Sequence, residues 1–403
     1  MANTLNLGNG NWGVKKDSLL GYNSENGNFK PLAFNFDRAS SATVVNKAGL
    51  IETVGSGEPR IDYKDDSKGA LLLEPTRSNL IPYSEDFSIV NWSKYGSGTG
   101  VAPTVTSNYA ISPDGTLNAS RVQFDKGSGI TGNDMSILND NVAVTSGITT
   151  SKSVYVKSNT SEEYDIVIYG ASSASGTNLK KVRVTSQWQR FDVYGTIPST
   201  TTGITIGLRE IGVTGLSNTA DVSVWGAQLE QGSYATSYIP TQGSAATRSA
   251  DICNNGGNEQ VINSTEGVLY AEISGFSNTD SSPRVFSLSD GGGSNRIICF
   301  ILNTEFVVNI QKLGQTPIDL RTDLGDVETP LKMSVKYKAN DFALWINGFE
   351  IASSSSGQTY SVGTLDRINF DSGFGIENFY GNIKDVRVYN TALTDSELAA
   401  LTK

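Results

Sequence analysis

The chain has 403 residues, 37% of them apolar and 18% charged, with a formal net charge of −10 and no histidine. That length exceeds one ordinary core, so two or three domains are expected, and the apolar share excludes a disordered chain. The acidic balance excludes attraction of the whole surface to nucleic acid or anionic lipid, and the missing histidine removes the usual general base, zinc ligand and Ser-His-Asp triad.

In chain order, the opening Met-Ala-Asn-Thr-Leu-Asn-Leu-Gly has neither a basic nor an apolar signal region, so export through a signal peptide is not expected. No stretch approaches the length of a membrane-spanning helix. Residues 1–78 are Asn/Gly-rich with a few β-like runs, among them Phe34-Asn-Phe-Asp-Arg38 and Glu58-Pro-Arg60-Ile-Asp-Tyr63. They read as a small attachment or oligomerisation segment, too polar for a core of their own.

Residues 79–250 carry a first set of strands. Ser-Val-Tyr-Val-Lys, Tyr-Asp-Ile-Val-Ile-Tyr and Asp-Val-Ser-Val-Trp alternate apolar with polar residues, and turn clusters separate them. The small-residue stretch from Gln242 and the run Asn254-Asn-Gly-Gly read as a linker near residue 250. A second set of strands follows in 251–403. It includes the continuous apolar run Ile297–Leu302 and the hairpin signal Trp345-Ile-Asn347-Gly348. Thr394-Asp-Ser-Glu397 predicts a capping box, with Leu398 and Leu401 on one helical face. The expected fold is all-β: two consecutive jelly-roll β-sandwiches, preceded by the small β-rich segment and closed by one short C-terminal helix.

Two resemblances sharpen this. Trp345-Ile-Asn-Gly, followed by Gly381-Asn-Ile-Lys-Asp-Val-Arg-Val-Tyr-Asn and the short acidic helix, resembles the laminin-G / concanavalin A-like lectin-glucanase family over residues 262–403. Ser78-Asn-Leu-Ile-Pro-Tyr-Ser-Glu-Asp-Phe, Ser186-Gln-Trp188-Gln-Arg190 and Val224-Trp225 to Thr241, then Thr247-Arg-Ser-Ala-Asp251, resemble carbohydrate-binding-module-like jelly rolls of tailed-phage structural proteins. The resemblance implies a tail- or head-fibre protein or adhesin of a virion, released by lysis and without membrane insertion. Its implied partners are host cell-surface polysaccharide, other virion proteins and further copies of itself. A purely structural virion component and a polysaccharide depolymerase are the alternatives.

Enzymatic chemistry is not expected. Glycosidases need paired carboxylates, and Glu162-Glu163 and Asp65-Asp66 are sequence neighbours that a strand points to opposite faces. No cofactor is expected; a structural calcium would fall to Asp290, Asn295 and Asp371. Candidate sugar contacts are Trp92 and Tyr95, which border a Gly/Ser turn, and Trp345, which lies out of phase with Phe342, Leu344 and Ile346. Asn347 and Asp371 would accept sugar hydroxyls beside Trp345. Trp188 and Trp225 read as core. Cys253 and Cys299 fit no metal spacing, and whether they pair is open, although Cys299 sits in a run that reads as buried.

Overall fold

The computed structural model describes residues 3–29, 32–170, 176–276 and 284–403. They form an all-β protein with one short α-helix, Asp395–Leu401, at the C-terminal end. Among the described residues no helix is long and apolar enough to cross a membrane.

Two jelly-roll sandwiches are present, but they are nested in the sequence rather than consecutive. One compact unit holds residues 1–48, 53–75 and 249–403, and the other holds 49–52 and 76–248. The inserted sandwich has two five-stranded sheets. One runs in the order Ser93–Ser97, Met135–Ala143, Thr201–Arg209, Tyr164–Gly170, Leu179–Val184. The other runs Val101–Ile111, Leu117–Asp125, Thr219–Gln231, Thr149–Ser158, Gln189–Thr196. Alternate residues such as Val122, Phe124, Val154, Val156, Val222 and Val224 point between the sheets and form the core.

In the other unit an eight-stranded sheet faces a five-stranded one. Strand Gly381–Tyr389 lies inside the larger sheet. Leu5–Gly8 pairs with one stretch of it, and Ala70–Leu73 with another. Leu5, Leu7, Leu71 and Leu73 enter the same core as Leu269, Val386 and Val388. The N-terminal residues are therefore part of this sandwich, not a separate segment. Alone they lack a partner face; the sheet supplies one.

Four buried charges hold that arrangement. Arg38 Nη1 donates to Asp251 Oδ1 at 3.0 Å, and Arg60 Nη2 to Asp251 Oδ2. Arg60 Nη1 also pairs with Glu74 at 2.7 Å, and the Glu74 amide donates to Asp251 Oδ2 at 2.9 Å. Burial alone would lower the Arg60 pKa; Asp251 and then Glu74 overcome it and raise the value. The expected linker is likewise built in. Ala246–Arg248 pairs with Arg77–Asn79 in the inserted unit, and Ile252–Asn254 with Asn35–Asp37 in the other.

The hairpin and helix form as the sequence predicts. Asn347 and Gly348 take φ of 48° and 90°, the type I′ geometry. Glu397 reaches back to the Thr394 amide at 2.9 Å. Cys253 and Cys299 are buried free thiols whose pKa burial raises.

Candidate functional site

The expected sugar contacts do not converge. Trp345 does face away from the core of Phe342, Leu344 and Ile346, but it is only 8% exposed. Tyr270, Tyr389, Leu393 and Leu398 pack with it in a second cluster. The C-terminal helix thus covers the ring face that a sugar would need. Trp92 is 0% exposed; its ring lies 4.6 Å from Phe87 and its indole N–H donates to the Tyr83 carbonyl at 2.9 Å. It closes the start of the inserted sandwich and presents no platform. Tyr95 is 54% exposed, as its position beside the Gly/Ser turn suggests.

Asn347 is exposed, and its side-chain oxygen accepts the Lys332 amide at 3.0 Å, which locks the turn. Asp371 is buried, which raises its pKa, and it accepts from Gly373, Gly375 and Asn254 at 2.6, 3.1 and 2.7 Å. Asp290 accepts from Gly292 and Asn295 at 2.8 and 2.9 Å. Asp290 and Asn295 thus form one loop, while Asp371 organises another. Among the described residues no group of three or more His, Cys, Asp or Glu could hold a metal ion.

The resemblance motifs of the inserted unit are also mostly structural. Trp225 is buried between Tyr155 and Tyr238, at 5.5 and 4.4 Å between ring centroids. Trp188 donates to the Ile111 carbonyl at 3.0 Å, with the Lys157 ammonium 5.1 Å from its ring centre. Tyr238 does more, because its hydroxyl donates to Glu85 Oε1 at 2.8 Å. That bond leads into a cleft.

The cleft has a volume of about 510 Å³, within the roughly 300–1,000 Å³ of small-ligand sites. Four chain segments line it: Tyr83, Glu85 and Asp86; Ser107 and Asn108; Asn118 and Ser120; Pro240, Thr241 and Gln242. The pairing of Val101–Ile111 with Leu117–Asp125 explains how Ser107 and Asn108 reach it. Register slips between Thr106 and Ala110, so residues 107–109 bulge from the ladder, and Asn108 takes φ of 52°. Opposite, Asn118 and Ser120 precede the buried Val122 at two-residue spacing.

Glu85 Oε2 accepts from Asn118 at 3.0 Å while Oε1 accepts from Tyr238, and burial raises its pKa. Asp114 sits behind, its Oδ2 3.3 Å from the Asn118 amide nitrogen. Asn118 Oδ1 and the hydroxyl of fully buried Ser120 have no hydrogen-bond partner in the protein. Both atoms lie buried in the cleft wall, where an unmatched polar group is rare. Pro82-Tyr83-Ser84-Glu85-Asp86 lay inside a motif already singled out. Nothing local in the sequence tied it to residues 107–120 or 240–242.

A second concavity, about 460 Å³, lies on the outer face of the five-stranded sheet in the other unit. Its floor includes Ile298, Phe300 and Val307. Its two arginines are already engaged. Arg321 pairs with Asp319 and Glu305 at 3.1 and 3.4 Å, and Arg296 donates to Gln311 and the Ser372 carbonyl at 2.8 and 2.5 Å.

No protein-family model matches the chain, and no curated protein matches it. Among solved structures it is similar to the carbohydrate-binding module CBM40 of the Ruminococcus gnavus IT-sialidase bound to α2,3-sialyllactose. Identity there is 16%, over 37% of this chain and 94% of that one, with a TM-score of 0.32. It is also similar to domain 4 of AbnA, a GH43 extracellular arabinanase from Geobacillus stearothermophilus in complex with arabinotriose. The values are 16%, 42% of this chain, 81% of that one and 0.32. Domains LG4-5 of the mouse laminin α1 chain align at 10% identity, over 64% of this chain and 87% of that one, with a TM-score of 0.25.

Proposed function

We propose that the chain is a non-catalytic glycan-binding protein whose site is the cleft of the inserted sandwich. The carrying observation is the convergence there of hydroxyls, amides and carboxylates from four chain segments. A sugar ring offers paired donors and acceptors to such a set, and Tyr83 adds an aromatic edge. No Lys or Arg lines the cleft to hold a phosphate, and there is no broad apolar floor for a lipid. Glu85 and Asp86 are not arranged as an acid and nucleophile. Glu85 holds Tyr238 and Asn118 with its two oxygens, and Asp86 Oδ1 accepts from Ser88 at 3.0 and 2.6 Å.

The phage-module resemblance of the motifs around this cleft supports the fuller reading. In it the chain is a bacteriophage fibre or receptor-binding protein of the virion, released by lysis, which adsorbs to host surface polysaccharide. Several copies on one particle would raise weak single-site affinity by avidity.

The test is adsorption of the full chain to host polysaccharide and to a glycan array. Asn108→Gly with Gln242→Ala removes two exposed amides, and glycine tolerates the positive φ at 108. The pair should leave melting unchanged and weaken adsorption roughly tenfold or more. Retention of no glycan would reject binding and favour a structural virion component. Release of shortened polysaccharide would reject the non-catalytic half.

A further inference from the structure

The charge of the cleft narrows what it can hold. Its charged lining residues are Glu85 and Asp86, with no cation among them. Asp114 stands in a second row behind Asn118. The Lys94 ammonium, on strand Ser93–Ser97, feels the charge of Asp86 from outside the lining but is committed to the carbonyls of Ser88 and Ile89 at 2.8 and 2.7 Å. Arg121 follows Ser120 and so points to the opposite sheet face, where it is locked on Asp221. Neither cation is free to turn into the cleft.

The lining also has a polarity of hydrogen bonding. Glu85 and Asp86 only accept when ionised. A ligand group that meets these carboxylates must bring donors: ring hydroxyls or the N–H of an acetamido group.

We infer that the cleft selects an uncharged sugar chain, built of neutral hexose or N-acetylhexosamine units, and rejects sugars bearing carboxylate or sulfate. This rests on the glycan-binding reading of the same cleft. An acidic sugar would set its own anion a few ångströms from two carboxylates, without a fixed cation to strengthen its hydrogen bonds. At that range two like charges cost roughly tenfold or more in affinity, even in a half-solvated site.

The experiment measures adsorption of the full chain to immobilised dextran, mannan, N-acetylglucosamine oligomers, polygalacturonate and polysialic acid. It is repeated with Asp86→Asn and with Glu85→Gln/Asp86→Asn. Binding should be confined to one or more neutral probes. The double variant should gain roughly tenfold towards the acidic probes, a change too local to come from the net charge of the whole chain. Asp86 is exposed, so the single variant keeps the test valid if the double variant fails to fold. An acidic probe held by the native chain as well as any neutral one would overturn the inference and leave glycan binding standing. So would acidic probes rejected equally by native chain and variants. Binding to no probe would overturn both.

Discussion

A buried charge cluster in one sandwich contrasts with two buried charges in the other. In the unit of residues 1–48, 53–75 and 249–403, Arg38, Arg60, Glu74 and Asp251 neutralise one another, two cations against two anions. In the inserted unit, Lys152 and Asp140 are buried without a counter-ion. Lys152 donates to Thr150 and Asn178 at 2.6 and 2.8 Å, and Asp140 Oδ2 has no partner. The paired cluster ties residues distant in sequence into one core at constant charge. The unpaired groups make their sandwich sensitive to pH.

The largest expected effect comes from breaking the paired cluster. Asp251 anchors both guanidinium groups and the Glu74 amide. Asp251→Ala leaves two buried cations facing one carboxylate and should cost about 3–5 kcal/mol in denaturant unfolding. A loss under about 1 kcal/mol would mean that the apolar strands alone hold the N-terminal residues in place.

The next effect tests the unpaired lysine. Burial lowers Lys152 from 10.5 to about 8. Above pH 10.5 the amine is neutral in both folded and unfolded chains and costs nothing. Below pH 8 it is charged in both, and the folded state carries the full cost. Stability of the inserted unit should therefore rise between about pH 8 and pH 10.5, by up to about 3 kcal/mol. Lys152→Met should flatten that rise in unfolding curves taken across the window. An unchanged rise would assign it to another group.

Asp140 gives a similar effect at the acid end. Burial raises it from 3.8 to about 6. Its contribution is fully present below pH 3.8 and is lost as pH rises through 6, a change of up to about 3 kcal/mol. Asp140→Asn should stabilise the inserted unit at pH 7 and have little effect at pH 3.5. Destabilisation at pH 7 would show that the carboxylate has a compensating partner.

The same contrast explains what could be read from the sequence. Strands, the Asn347-Gly348 turn and the capped helix announce themselves locally, through period-two alternation, turn chemistry and a four-residue cap. Even the phase of Trp345 was legible. Its cover was not, because the helix that buries it lies some 50 residues further on, and alternation says which face a residue takes, not what lies on that face. Arg38, Arg60 and Asp251 stood out as motif residues, but only folding makes them neighbours. The cleft was the least legible part, since four separate segments and a slipped register build it.

The smallest effect separates pairing from burial. Arg321 pairs with Asp319 and Glu305, as Arg38 and Arg60 pair with Asp251, but all three of its groups are about half exposed. Water already screens these charges, and ordering the long side chains offsets much of the attraction. Arg321→Ala should therefore cost less than about 1 kcal/mol, and less still in high salt. The arginine also lines the outer-sheet groove, so the same variant tests that surface. With the cleft as the sugar site, Arg321→Ala should adsorb to neutral polysaccharide as the native chain does, while Asn108→Gly/Gln242→Ala adsorbs less. If the losses were reversed, with Arg321→Ala stable but no longer adsorbing, sugar binding would move to the groove. The polar lining of the cleft would then be surface chemistry without a ligand.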